Sequence, residues 1–217
     1  MLKLIIFDYD GLLVESETIA FIAEEKILQR FGKPLSKELF EKYLGYSVMD
    51  TLEGYISYHK IPITTQAFYD EREQMIFSLL ETDLILKPGA KILLDYLHKK
   101  KIDTVIGSSG ERNYIEAGLK KFGIQHYFKN ITCVSEVKRG KPYPDLFLEA
   151  LCKNKTRPEE AIVLEDAISG ITAAKKANIF CITVPPKTMD IQGHRIADAI
   201  VDDLGKVKDL FEKIKNF

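Results

Sequence analysis

Leu2, Leu4, Ile5, Ile6 and Phe7 make a short apolar run that stops at Asp8, the pattern of a strand buried on both faces of a parallel sheet. The pattern returns along the chain. Thr104-Val105-Ile106 runs into Gly107-Ser108-Ser109-Gly110, Ile131-Thr132-Cys133-Val134 precedes Ser135, Ala161-Ile162-Val163-Leu164 precedes Glu165-Asp166, and residues 179–184 precede Pro185-Pro186. Between these runs apolar residues fall at helical spacing, as at Ala90, Leu93, Leu94 and Leu97, then Ile115, Leu119 and Phe122. Strand alternating with helix predicts an α/β core, an open parallel sheet joined by right-handed crossovers and covered on both faces.

Residues 16–87 break the alternation. No strand run occurs there, and helical spacing dominates at Ile19, Ile22, Ala23 and Ile27 and at Phe68, Met75, Ile76 and Leu79. Gly11 on one side and Pro88-Gly89 on the other supply the turns that two hinge strands need. The expected organisation is a core of residues 1–15 and 88–217 with an all-helical cap domain, residues 16–87, inserted into it. Thr156-x-x-Glu159 around Pro158 has the form of a capping box, opening a helical turn before the strand at Ala161.

At 217 residues the chain can hold a core of ordinary size plus a smaller inserted unit, but not two large independent domains. Its 31 Lys and Arg nearly cancel its 32 Asp and Glu, so the basic footprint of a nucleic-acid binder is missing. Cys133, Cys152 and Cys181 are odd in number, widely spaced and set in apolar stretches, which reads as buried thiols of a reducing compartment, with neither a disulfide nor a zinc site. The N-terminal run meets Asp8 and Asp10 too soon for a signal peptide, and no segment reaches the length of a membrane span. A soluble cytoplasmic protein, monomeric or weakly dimeric, is expected.

The chemistry concentrates at strand ends. Asp8-Tyr9-Asp10-Gly11 follows the first strand, and in an open α/β sheet the ligand crevice lies beyond the carboxyl ends of the strands. Two carboxylates one residue apart can divide labour, one as nucleophile and the other as general acid and base; the same residues also suit a plain solvated turn. Gly107-Ser108-Ser109-Gly110 offers hydroxyls and backbone N–H groups to a phosphate just before a helix, or merely caps that helix. In Arg139-Gly140-Lys141-Pro142-Tyr143-Pro144-Asp145 the lysine is either a rigid clamp for a phosphoryl group or a surface cation in a Pro-rich turn. Glu165-Asp166 ends a strand and precedes Gly170-Ile171-Thr172-Ala173-Ala174, so these acids either ligate a hard divalent cation or favour the start of the next helix.

Taken in order, the four segments resemble the haloacid dehalogenase superfamily of phosphatases and phosphomutases, in the β-phosphoglucomutase-like branch with a helical cap inserted after the first motif. The resemblance implies a Rossmann-like core and a phosphorylated small molecule as substrate. Asp8 becomes the nucleophile and a metal ligand, and Asp10 the general acid and base that also offers its backbone carbonyl to the metal. Ser108 becomes the donor to phosphate oxygen, with Ser109 beside it as a substrate contact; Lys141 becomes the positive clamp, and Glu165 and Asp166 complete the metal site. Two carboxylates about 4 Å apart repel by roughly 4 kcal/mol at an effective dielectric near 20, more than one lysine can offset across four acids; a hard cation, Mg2+, is the implied cofactor. In the cap, Gly45 and Tyr46 stand where relatives carry a specificity loop, although a helix break with core tyrosines would look the same. Val48 replaces the arginine that grips a second phosphate in β-phosphoglucomutases, and Ala20 replaces a histidine, which favours a monophosphatase over a phosphomutase; Glu15 stands where the family usually has Asp.

Overall fold

The computed structural model describes residues 2–44, 46–186 and 191–213. In chain order it runs β1 (Leu4–Phe7), β2 (Val14–Glu15), α1 (Glu17–Gln29), α2 (Lys37–Lys42), α3 (Val48–His59), α4 (Thr65–Asp83), β3 (Ile85–Leu86), α5 (Ala90–Lys99), β4 (Asp103–Ser108), α6 (Arg112–Lys121), β5 (Phe128–Cys133), α7 (Asp145–Lys153), β6 (Ala161–Glu165), α8 (Ile168–Lys176), β7 (Phe180–Thr183), β8 (Ala199–Ile200) and α9 (Leu204–Lys213). Two compact units result: Ser16–Leu84 forms one, and the chain before Ser16 and after Leu84 forms the other.

Among the described residues the larger unit holds a parallel sheet in the order β5-β4-β1-β6-β7-β8. The apolar run of β1 is fully buried because strands flank it on both edges and helices cover both faces. Leu4, Ile6, Val105 and Val163 join Phe147, Ala150, Leu151 and Ile171 in one core between sheet and helices. Register decides where the chemistry emerges. Phe7 pairs with both Ile106 and Leu164, so Asp8, Gly107 and Ser108, and Glu165 all lie at the same carboxyl end of the sheet. β1 is also where the strand order reverses direction, the topological switch point at which such sheets bind ligands.

Several features escaped the apolar pattern. β2 and β3 form a two-stranded antiparallel ladder, Val14 opposite Leu86 and Glu15 opposite Ile85, so the stretch read as wholly helical up to Lys87 ends in a strand. Two residues are too few to show a period of two. Glu15 is held there by Lys87 Nζ at 2.5 Å. The turn before β6 begins one residue later than expected: Pro158–Glu160 is the helical turn, and the Glu160 carboxylate, not that of Glu159, accepts from the Arg157 backbone N–H at 3.2 Å. Cys133 and Cys181 are buried, whereas Cys152 is exposed on α7. No described helix is long and apolar enough to cross a membrane.

The smaller unit packs Ile27, Leu28, Leu35, Leu39, Leu52, Tyr55, Ile61 and Phe68 into its own core. Ser36, Ser47 and Thr64 cap α2, α3 and α4, each side chain accepting from a backbone N–H in the first turn. Glu24 on α1 is buried, and Arg72 on α4 reaches it with Nε at 2.7 Å. Burial pushes the Glu24 carboxyl up despite that guanidinium. Arg72→Met is therefore expected to cost about 3 to 5 kcal/mol of unfolding free energy, because it strands a buried carboxylate. Adding Glu24→Leu should return most of that loss; urea denaturation of the single and double variants measures both, and equal stability of Arg72→Met and the unmutated chain would contradict it.

Candidate active site

The loop leaving β1 turns back on itself at Gly11. Its N–H donates to Val14 O at 2.9 Å with φ at +78°, a conformation that side chains disfavour, and a Cβ there would lie 2.0 Å from Asp166 Oδ2. Glycine is thus required by both the turn and the acid beside it. Gly170, in the first turn of α8, is required similarly, since a Cβ would stand 1.7 Å from Glu165 Oε1.

Asp8, Glu165 and Asp166 are all buried and present carboxylate oxygens within 4.8 Å of one another. Lys141 Nζ donates to Asp8 Oδ1 at 2.5 Å and also to Glu165 Oε1, and the lysine side chain is only 6% exposed. The alternative of a surface lysine is excluded. Its loop is pinned on either side: Arg139 Nη2 pairs with Asp145 Oδ1 at 2.9 Å, its guanidinium stacks 4.4 Å above the Tyr143 ring, and Lys176 Nζ donates to Pro142 O at 3.1 Å. Glu165 Oε2 accepts from two consecutive backbone N–H groups, Asp166 at 3.0 Å and Ala167 at 3.2 Å.

Three carboxylates against one ammonium leave this pocket with excess negative charge. Burial first, and the Asp8 charge second, push the Glu165 carboxyl up to about 7 in spite of Lys141. Burial on its own would lower the Lys141 ammonium, but the Asp8 and Glu165 carboxylates outweigh it and hold that pKa above the ordinary lysine value. Oxygen-only donors with unbalanced negative charge are what a hard divalent cation requires.

Asp10 stands beside this cluster on the side of the β4 loop. Tyr114 Oη lies 3.3 Å from Asp10 Oδ1, and a Cβ on Gly110 would lie 3.1 Å from Asp10 Oδ2 and 3.3 Å from Ser108 Oγ. Ser108 is buried, its Oγ accepting from Gly110 N–H at 2.9 Å, while Ser109 is exposed. Asp10 and Ser108 therefore share one side of the pocket. In the smaller unit Gly45 lies outside the described residues; Tyr46 is 63% exposed, edge-on to Tyr43 with ring centroids 5.5 Å apart, and is no core tyrosine. Two contacts had no sequence signal: Tyr114 on Asp10, and buried His194, whose Nε2 lies 2.8 Å from Asp166 O. Each meets its acid across a long stretch of chain.

The sequence model of the haloacid dehalogenase-like hydrolases matches residues 5–184. Over 209 residues the chain is 32% identical to (DL)-glycerol-3-phosphatase 2 of Arabidopsis thaliana, a match spanning 92% of this chain and 86% of that one. It is 27% identical over 182 residues to a phosphorylated carbohydrates phosphatase of Thermotoga maritima, covering 82% of each. The crystal structure of β-phosphoglucomutase from Clostridium difficile shares the fold, with a TM-score of 0.78 at 23% identity over 98% of this chain and 96% of that one. With the family pattern spanning most of its length and curated relatives that are phosphatases, the chain belongs to the haloacid dehalogenase-like hydrolase family and is a phosphoric monoester hydrolase.

Proposed function

We propose that this protein hydrolyses a small phosphomonoester, a phosphorylated sugar or polyol or a nucleotide, with Mg2+ as cofactor and a phosphoaspartate at Asp8 as intermediate. One observation carries the reading: Lys141, buried, bridges Asp8 and Glu165 in a pocket whose third acid is Asp166. Asp8, Glu165 and Asp166 would hold magnesium, and Asp10 would add its backbone carbonyl. When bound, the cation neutralises charge on the phosphoryl group and the attacking carboxylate.

The remaining chemistry belongs to side chains. Asp8 attacks phosphorus through one carboxylate oxygen while the ester P–O bond breaks, and Asp10 gives its proton to the departing alkoxide. Tyr114 on Oδ1 steadies the Asp10 carboxyl with Oδ2 toward Gly110 and Ser108. The Ser108 hydroxyl and the N–H groups of its turn bind the phosphoryl oxygens, and the Lys141 ammonium offsets their charge. Asp10, now ionised, takes a proton from water as that water attacks the aspartyl phosphate; phosphate leaves, Asp8 is a carboxylate again and Asp10 is reprotonated. Ser109, Gly45 and Tyr46 are the candidate contacts to the rest of the substrate. The free thiols of Cys133, Cys152 and Cys181 fit a reducing, cytoplasmic setting.

The relatives' substrates, glycerol 3-phosphate and phosphorylated carbohydrates by their names, support the small, hydroxyl-rich class. Phosphate release from a panel of sugar, polyol and nucleoside monophosphates is the test. Turnover should collapse to background with EDTA and return with magnesium, and inorganic phosphate should be the product. An isomerised sugar phosphate that appears only with a bisphosphate activator would instead establish a phosphomutase, a reading that Val48 and Ala20 disfavour.

A further inference from the structure

His194 is fully buried, lies in the short helical turn Ile191–Ile196 and plays no part in the chemistry above. Its Nε2 lies 2.8 Å from the backbone carbonyl oxygen of Asp166. A carbonyl only accepts, so Nε2 carries the proton and donates; Nδ1 is buried and has no hydrogen-bond partner among the described residues. The tautomer is therefore assigned by this single contact.

The carbonyl it holds is half of one amide. The Asp166 C=O and the Ala167 N–H belong to the same planar peptide group, and that N–H donates to Glu165 Oε2 at 3.2 Å. A continuous line runs from the imidazole N–H through one rigid peptide plane to the carboxylate of Glu165, and the same plane sets where the Asp166 backbone, and so its side chain, can sit. Donation to the carbonyl also polarises the amide and strengthens the bond its N–H makes. The turn bearing His194 is seated closely on the start of α8: a Cβ on Gly193 would lie 2.3 Å from Ile168 Cδ1.

We propose that His194 is a positioning residue for the magnesium site, orienting both Glu165 and Asp166 through the peptide group that joins Asp166 to Ala167. This rests on the magnesium-dependent reading above. Groups that orient ligating carboxylates from behind typically change metal affinity by about 10- to 100-fold when removed. The alternative is a histidine that only fills core volume.

Two variants separate these. His194→Leu keeps an apolar group of similar size but has no donor, whereas His194→Gln can place an N–H2 where Nε2 stood. Metal affinity is measured without substrate, by calorimetric titration of the full chain with Mg2+ and by electron paramagnetic resonance of bound Mn2+. We expect His194→Leu to weaken both by about tenfold or more and His194→Gln to keep most of the affinity. Folded His194→Leu with unaltered affinity, or a loss in His194→Gln as large as in His194→Leu, overturns the proposal. If neither variant folds, 15N NMR of the unmutated protein decides. A ring protonated at Nε2, with its signal and the Ala167 amide both moving as magnesium is added, supports it; protonation at Nδ1 alone, or signals that stay still, overturns it. Failure of the underlying reading looks different, because the unmutated protein would then neither bind magnesium nor release phosphate.

Discussion

Asp8→Asn is expected to lower phosphatase turnover by at least about 10⁴-fold while leaving the protein folded, the scale seen when a covalent nucleophile is removed. The amide has the shape of the carboxylate but is a poor nucleophile and carries no charge. Because Asp8 crowds Glu165 and helps raise its pKa, removing that charge relieves repulsion in the metal-free pocket. Lys141 still has Glu165 as partner. The expected signature is thus a dead enzyme whose metal-free thermal midpoint is no lower than that of the unmutated chain. Single-turnover assays with acid quenching should trap phosphate on the unmutated protein and none on the variant. Substantial turnover by Asp8→Asn would remove the phosphoaspartate from the mechanism.

Lys141→Met acts in the opposite sense on stability. It leaves Asp8 and Glu165 buried together without their ammonium, and losing one member of a buried pair costs about 3 to 5 kcal/mol. Turnover should fall as well, by about 10²- to 10³-fold for one lost electrostatic stabiliser. The stability loss should depend on pH. In the fold Glu165 is raised from the ordinary 4.5 to about 7, so its stabilising contribution is complete below 4.5 and is lost as pH rises through 7. Lys141 is also raised, but its contribution fades only at alkaline pH, beyond this window. Metal-free protein is therefore expected to weaken between about pH 5 and 7 by linkage at Glu165, more so in Lys141→Met and less so in Asp8→Asn. Magnesium, by favouring the ionised carboxylates, should flatten the profile. Urea midpoints across pH 5 to 8, with EDTA and with magnesium, measure this. A flat metal-free profile would show that the acids do not crowd one another as the geometry indicates.

The parallel core was legible because β1 and β6 are buried along their whole length and β4 and β7 along most of theirs, and such burial writes itself as unbroken apolar runs. The short strands β2, β3 and β8 left no such trace, since two residues carry no period and their pairing comes from partners elsewhere in the chain. Cys152 misled for a related reason: an apolar neighbourhood in sequence is divided between two faces once it becomes a helix, and Cys152 falls on the outer one. Among the site residues, the aspartates of the first loop and the pair at the end of β6 stood out by their position after apolar runs. Lys141 did not. From its own segment a clamp and a surface cation were equally good readings, and only resemblance to a family separated them before the structure placed its ammonium on Asp8 and Glu165.

By itself, then, the sequence determined what is local: which of the longer segments are strands and helices, roughly where they stop, and which acids, hydroxyls and glycines stand at those stops. Tertiary structure alone decided how those groups meet. The register of β1 against β4 and β6 brings three distant segments to one carboxyl end of the sheet, burial turns ordinary carboxylates into crowded ones, and contacts from far along the chain put Tyr114 on Asp10 and His194 behind Asp166. The physical reason is that hydrophobic periodicity is encoded residue by residue, whereas an electrostatic environment belongs to the assembled pocket and to no single stretch of chain.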